Sequence, residues 1–576
     1  MPSQPCGNIQ DRVINTIKRI IFIIVASLLL ASCSIGGTPT INQATTTPGN
    51  TNTPEAPVQT AAPTVRSSPT PSPTQPQVTI WLPEYLPDKM RAAISLPEGY
   101  NSATAMESAD VILSVDTQGL PTASQWSYAL VAPFPTVADG VSLDELRGAW
   151  AGMPSVTFNN SPLLMDASTV EVLRAMWGEP GPQSVKVLPG DQILDEAWSN
   201  RPSWAIVPFE MLEPRWKVLT IDGQSPIHKD FDPTVYPLTI PFALSGKTSL
   251  DPGVLKIPAT NRDATKLTTV AMTGVTAMVR ATAYTMDHYG ITYPAEDIGS
   301  ILSAADITHI SNEIPFSPDC PTPTLTQENL VFCSNPSYID LLKAVGTDII
   351  ELTGDHFMDY GAEATLYTLQ MYKDQGWLYY GGGANAEEAR QPVKLESNGN
   401  KIAFMGCNVG CVVKNEIPCD AIASDSHPGA AQCDFDYISS EIPALRDEGY
   451  QVIFTFQHRE YYTYTAQPSL VNDFGLVATA GAAIVSGSQA HQPHGFAFEN
   501  RAYIHYGLGN LFFDQFHFCP DYACDDAFID RHVFYDGQYI STELITIRFV
   551  DAAKPRLMTA EERQHFLETI FSFSGW

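Results

Sequence analysis

Side chains able to bind metal or move protons recur in this chain where apolar, β-branched runs give way to polar ones. Asp355 and His356 follow a strand-like run at 347–351 and precede a helical run at 362–375. The pair thus stands at the carboxyl end of a strand, where open α/β sheets gather side chains around a crevice. A second role stays open, with Asp355 capping the following helix and His356 packed beside it. The arrangement repeats along the chain. Run 305–310 leads into Ser311-Asn312-Glu313, run 451–456 into Gln457-His458, run 482–485 into Gly487 to His491, and run 503–506 into Gly507 to Asn510. One histidine is usually a surface or satisfied core group, whereas several at strand ends can share a crevice. His505, inside a run, suits core packing instead.

The elements that must position these groups alternate strand and helix, which predicts an α/β fold in two parts, 78–255 and 265–576. In the second part a strand at 267–272 opens the series. Asn398-Gly399 joins 393–396 to 401–406 as a hairpin, and Thr559 to Glu562 is a capping box for a closing helix that runs to about 571. In the first part, strands at 78–82, 129–134, 204–208 and 217–221 surround helical segments near 170–177 and 192–198, and Ser142 to Glu145 is another capping box. Gly381-Gly382-Gly383 lacks the Lys and Ser or Thr of a P-loop and reads as a tight turn. Tyr461-Tyr462-Thr463-Tyr464 suits aromatic packing or a site rim.

Charge bounds the partners. With 32 Lys and Arg against 63 Asp and Glu, the net charge is −31, which repels polyphosphate backbones and anionic membrane surfaces and excludes nucleic acid as an expected partner. Charged residues are 16% and apolar ones 44% of the chain, the balance of folded domains rather than of an acidic disordered chain. Segment 1–33 reads as an export signal: Arg12, Lys18 and Arg19 precede an apolar run at 20–31, too short for a comfortable membrane span. Leu30-Ala31-Ser32-Cys33 resembles the bacterial lipobox, which implies lipidation of Cys33 and an exported lipoprotein anchored in the cell membrane through lipid. Segment 34–77, dominated by Thr, Pro and Ser, cannot bury enough apolar surface to fold and reads as an extended tether.

Eight cysteines remain beyond Cys6 and Cys33, an even number that in an exported chain favours disulfides over zinc. Cys320 with Cys333, and Cys519 with Cys524, are local staples. Among Cys407, Cys411, Cys419 and Cys433 three pairings stay open, with zinc as the rival.

Two resemblances follow from these motifs. Val131 to Thr136 with the helix after Ser142, and Trp204 to Phe209, resemble the type 2 extracellular solute-binding fold, which implies a cleft for a small solute in 78–255; a spacer without ligand is the alternative. From about 268 to 515 the chain resembles the capsule biosynthesis protein CapA family, the poly-γ-glutamate capsule group related to calcineurin-like metallophosphatases. The motifs are Ala305-Asp306 through Glu313 and Pro315, Asp355-His356 with Asp359-Tyr360-Gly361, Glu387 to Pro392, His458 with Glu460-Tyr461, Gly487 to His491, and Tyr506 to Gln515. This likeness implies a two-sheet sandwich flanked by helices with a metal site at the strand ends.

Departures from the family pattern weaken that site. Val275 stands where the family has a metal-binding Asp, Ser311 where it has Asn, and Ser488 and Gln489 where it has two histidines, while Arg280 and Glu313 are retained. Val cannot ligate, and Ser or Gln is a poor substitute for imidazole. The surviving candidates are Glu313, Asp355, His356, His458 and His491, with His494 nearby as a replacement. They could hold one divalent ion, Mn, Zn or Fe, with Glu313 as ligand or general base and Asp355 and His356 at the chemistry. Two functions are expected to compete: metal-assisted hydrolysis or transfer on an anionic capsule or envelope polymer of poly-γ-glutamate type, and non-catalytic binding of a solute or polymer on a degenerate scaffold.

Overall fold

The long strand Thr122–Pro133 is the spine of the first region, buried along almost its whole length. Its second half, 128–133, is buried on both faces and reads as a continuous apolar run rather than an alternating one. It sits in a nine-stranded mixed sheet between Thr239–Gly246 and Trp204–Pro208, with Val78–Trp81 and Leu163–Met165 further out. The capping box on helix Leu143–Trp150 is present, Ser142 and Glu145 each satisfying the other's backbone N–H. The expected strand at 217–221 divides: Trp216–Val218 pairs with the spine, whereas Thr220–Ile221 turns to pair with Gly140–Val141.

The second region is a two-sheet sandwich. One sheet has nine strands, with Leu378–Tyr380, Ile349–Glu351, Ile307–Asn312, Leu267–Thr273, Asp526–Tyr535 and Gln538–Phe549 in order. The other has six, and its Asn400–Asn408, Gln451–Gln457, Ile484–Ser486 and Ala502–His505 run parallel. Strand alternation divides the side chains between two cores. Phe404, Ile453, Ile484 and Tyr503 lie in register across the sheet and face the sandwich interior, where Val270, Met272 and Ile349 meet them. Met405, Phe454 and Val485 point the other way, onto helices Phe435–Asp447 and Pro468–Ala480. Helices thus flank the sandwich, as expected. Asn398 and Gly399 have φ of 49° and 77°, the two positive values that a tight hairpin turn between these strands requires. The closing helix Ala560–Ser572 carries its capping box.

This computed structural model describes residues 77–327, 329–410, 421–515, 519 and 523–576. The export signal, Cys33 and nearly all of the tether, with Cys411 and Cys419, lie outside them. Among the described residues no helix is long and apolar enough to cross a membrane. Disulfides join Cys320 to Cys333, Cys407 to Cys433 and Cys519 to Cys524; the second removes Cys407 and Cys433 from any zinc site. The described residues belong to one unit, and its two regions share side chains. Phe134 sits edge-on to Phe496, Phe498 and Tyr503 at 5.3–5.6 Å, and Arg563 engages Asp139 at 2.7 Å.

Candidate metal centre

Parallel strands deliver their carboxyl ends to one edge of the sandwich. Val275 is level with Ser311, and Ser311 with Glu351, so the loops that follow start side by side. Gly354 lets two of them touch: a Cβ there would lie 2.6 Å from the Glu313 carbonyl oxygen and 2.8 Å from its Cα. Only a residue without a side chain allows that approach, and it brings Asp355 and His356 over Glu313.

Two groups of ligating atoms result, each within 4.8 Å: Glu313 with Asp355 and His356, and Glu313 with Glu460 and His491. Glu313 is common to both and 1% exposed. His356 Nδ1 meets Asp359 Oδ2 at 2.7 Å, and the Phe332 N–H donates to the same oxygen at 2.7 Å. Asp359 thereby fixes the ring and leaves Nε2 as its free ligating nitrogen, a common second layer around metal-binding histidines. His491 Nδ1 is 2.9 Å from Asn510 Oδ1, which makes that nitrogen the N–H, and Nε2 is 3.2 Å from Glu460 Oε1. Gln457 donates to Asp355 Oδ1 at 3.0 Å. A further chain runs outward: Tyr462 donates to Glu460 at 2.7 Å, Gln515 to Tyr462 at 3.0 Å, and Arg280 to Gln515 at 2.8 Å. The Arg280 guanidinium lies over the Phe513 and Phe332 rings at 4.5 and 5.2 Å.

Electrostatics follow from burial and crowding. Burial, against the pull of His491, pushes the Glu313 carboxyl up to about 8, and Asp355 adds to the rise. Burial opposes charge on the histidines too. The Asp359 bond with Glu313 and Asp355 nevertheless raises His356 to about 9, and Glu460 with Glu313 raises His491 to about 9. Glu460, though partly desolvated, is drawn down to about 2 by His491 and Tyr462. Without an ion, protons on the imidazoles offset the carboxylates; a bound cation would take their place.

The residues present fit one such cation. Three carboxylates and two imidazoles are a hard-to-borderline donor set, and Glu313 Oε1 is buried among them with no hydrogen-bond partner in the structure. Three nearby positions add no charged or imidazole donor. Val275 packs in an apolar cluster with Ala277, Ile314, Phe332 and Phe513. Ser488 donates its hydroxyl to Glu351, and Gln489 is neutral.

Of the residues expected from sequence, the fold brings Glu313, Asp355, His356 and His491 together. It does not bring His458. That side chain has the strand parity of Val452, Phe454 and Phe456 and so faces helix Pro468–Ala480, where Nε2 meets Asp473 Oδ2 at 3.0 Å. His494 meets the Thr463 carbonyl at 2.6 Å, and burial holds it down to about 4; it is no replacement ligand. His505 packs inside the sandwich against Asp530 at 2.7 Å, as expected. Glu460, which joins Glu313 and His491 in one of the two groups, was not among the residues expected. Its signal was its place in the same strand-end loop, two residues beyond His458.

The fold and the crevice define a metallophosphatase-like sandwich domain. Residues 269–515 match the family described as bacterial capsule synthesis protein PGA_cap. The chain is 25% identical over 263 residues to the capsule biosynthesis protein CapA of Bacillus anthracis, a match covering 45% of this chain and 62% of that protein. Solved structures similar to parts of the chain include an ABC-type phosphate transport receptor from Vibrio cholerae. That pair is 12% identical with a TM-score of 0.25, over 30% of this chain and 87% of the receptor. A hypothetical protein from Thermus thermophilus is 10% identical with a TM-score of 0.29, over 50% of this chain and 99% of its own.

Proposed function

We propose that this protein acts at the cell envelope in the synthesis or attachment of a capsule or other anionic surface polymer of poly-γ-glutamate type, by metal-assisted hydrolysis or transfer. The observation that carries the proposal is Glu313, a buried carboxylate with an unpartnered oxygen shared by two ligand groups. Glu313, Asp355, His356, Glu460 and His491 would hold one divalent cation, Mn, Zn or Fe. The ion, when bound, supplies Lewis acidity toward a carbonyl or phosphoryl oxygen.

The chain's own groups do the rest. Asp359 and Asn510 fix the two rings through Nδ1, so both present Nε2 to the crevice. Gln457 holds Asp355, and Tyr462 holds Glu460, each by a single donated hydrogen bond. In the ion-free crevice burial keeps a proton on the Glu313 carboxyl near neutral pH, and a bound cation would displace it. The lipid anchor at Cys33 and a solute cleft in 78–255 belong to the same proposal.

Metal content of the purified full chain tests it. A divalent ion is expected in the parent and absent in Glu313→Gln; an ion-free parent that also fails to take up added Mn, Zn or Fe defeats the proposal. A second reading, a non-catalytic binding lipoprotein, is favoured by Val275 within apolar packing and Ser488 committed to Glu351. Ion uptake without turnover of any poly-γ-glutamate or phosphoester substrate would select it.

A further inference from the structure

Positive charge is scarce in this chain, yet five cations converge on one cavity of about 670 Å³. Lys89 comes from helix Asp88–Ala93 and Arg446 from the end of helix Phe435–Asp447. Arg501 sits in the turn between Phe496–Glu499 and Ala502–His505, and Arg215 and Lys266 come from two further segments. Glu210, Glu213 and Asp536 also line the cavity. Arg215 holds Glu213 at 2.7 Å, Lys266 holds Asp536 at 2.9 Å, and Asn261 donates to Glu210 at 2.6 Å. Among the described residues no carboxylate lies within ion-pair distance of Arg446, Arg501 or Lys89.

The cations are built into the fold. Gly481 admits Arg446, since a Cβ there would fall 2.4 Å from its Nη1. Arg446 also faces the end of helix Pro468–Ala480, where a cation is favourable, and that accounts for one of the three. Asn500 and Arg501 hold φ of 50° and 71° in their turn, and Asn500 is tied to Thr479 at 3.0 Å. Trp126, Phe209, Tyr535 and Tyr539 also line the cavity, with Phe209 and Tyr535 edge to face at 4.9 Å.

This cleft is not the metal crevice. Gln451 lines it at the amino end of strand Gln451–Gln457, and Gln457 holds Asp355 at the carboxyl end. Seven residues of strand place the two edges roughly 20 Å apart. Lys89 also offsets Glu210, but Arg446 and Arg501 concentrate anions locally even where the whole protein repels them, and guanidinium groups suit carboxylate and phosphate alike. We infer that the cleft binds a small oligoanion, a molecule bearing two or more carboxylate or phosphate groups.

Titration calorimetry of the full chain at low salt tests this, with inorganic tripolyphosphate and a triglutamate peptide as the two probes. At least one is expected to bind, and the one that does distinguishes phosphate from carboxylate. Affinity is expected to fall tenfold or more in Arg446→Ala/Arg501→Ala and to be unchanged in Glu313→Gln. If the double variant melts early, Arg501→Gln and Lys89→Gln carry the test, each with a threefold or greater loss. No binding of either probe, equal affinity in the cleft variants, or loss of binding in Glu313→Gln overturns the inference.

Discussion

Replacing Gly354 by Ala should disable the metal centre while leaving the fold standing. The new Cβ would sit 2.6 Å from the Glu313 carbonyl oxygen, whereas atoms in comfortable contact keep about 3.4–3.5 Å. The loop must therefore retreat by about 0.8–0.9 Å. Metal ligands tolerate only about 0.2 Å of error, so Asp355 and His356 would leave ligation range of an ion held by Glu313. Losing their contribution should cost at least tenfold to a hundredfold in affinity, about 1.4–2.8 kcal/mol. Overpacking should cost about 1–3 kcal/mol of stability in the ion-free protein. Gly376→Ala is the control. Gly376 has φ of 75° and no atom near its would-be Cβ, so Ala there should cost about 1 kcal/mol and leave affinity untouched. Competition with a chromogenic chelator gives affinity, and urea melts in excess chelator give stability. Parent-like affinity in a folded Gly354→Ala protein would refute the inference that this glycine sets the crevice.

Further outcomes are expected. Asp359→Asn should weaken ion binding about tenfold to a hundredfold, because the amide oxygen still accepts from Nδ1 and the Phe332 N–H but no longer carries the charge that strengthens the imidazole as a ligand; unchanged chelator competition would contradict this. His458→Ala should leave metal content intact and lower stability modestly, since its partner is Asp473; a lost ion would restore it to the ligand set. Asp139, though partly desolvated, is held down to about 2 by Arg563 and Lys217. Its folded value lies below its unfolded one, so its stabilisation is full above about pH 4 and lost as pH falls toward 2. The carboxylate is half exposed, so the effect is about 0.5–1 kcal/mol. The stability gap to Asp139→Asn in urea melts should be full at pH 6 and cut to roughly a third at pH 2.5; a gap of equal size at both would deny the linkage.

Much of the fold was legible because its signals are local. β-branched runs mark Ile349–Glu351 and Gln451–Gln457, Asn398-Gly399 marks its hairpin, and Ser142 and Thr559 mark their caps. The long hairpin of Asp526–Tyr535 and Gln538–Phe549 was not read, although Asp536 and Gly537 supply its turn with φ of 50° and 78°. Its main partner is Leu267–Thr273, some 260 residues away in sequence, and nothing local announces such a pairing. At the site, Glu313, Asp355, His356 and His491 could be chosen by residue type and strand-end position. Choosing between His458 and Glu460 needed strand parity: His458 continues the helix-facing series of Phe454 and Phe456, whereas Glu460 lies beyond the strand, where only the path of the loop decides its direction.

The central claim is a one-ion centre built around Glu313. An anomalous difference map from crystals of the full chain grown with Mn tests it most directly. One peak is predicted, about 2.0–2.4 Å from carboxylate oxygens of Glu313 and its neighbours and from imidazole nitrogen of His356 or His491. Two peaks about 3.5–4 Å apart, or a peak at His458 with none beside Glu313, would contradict it.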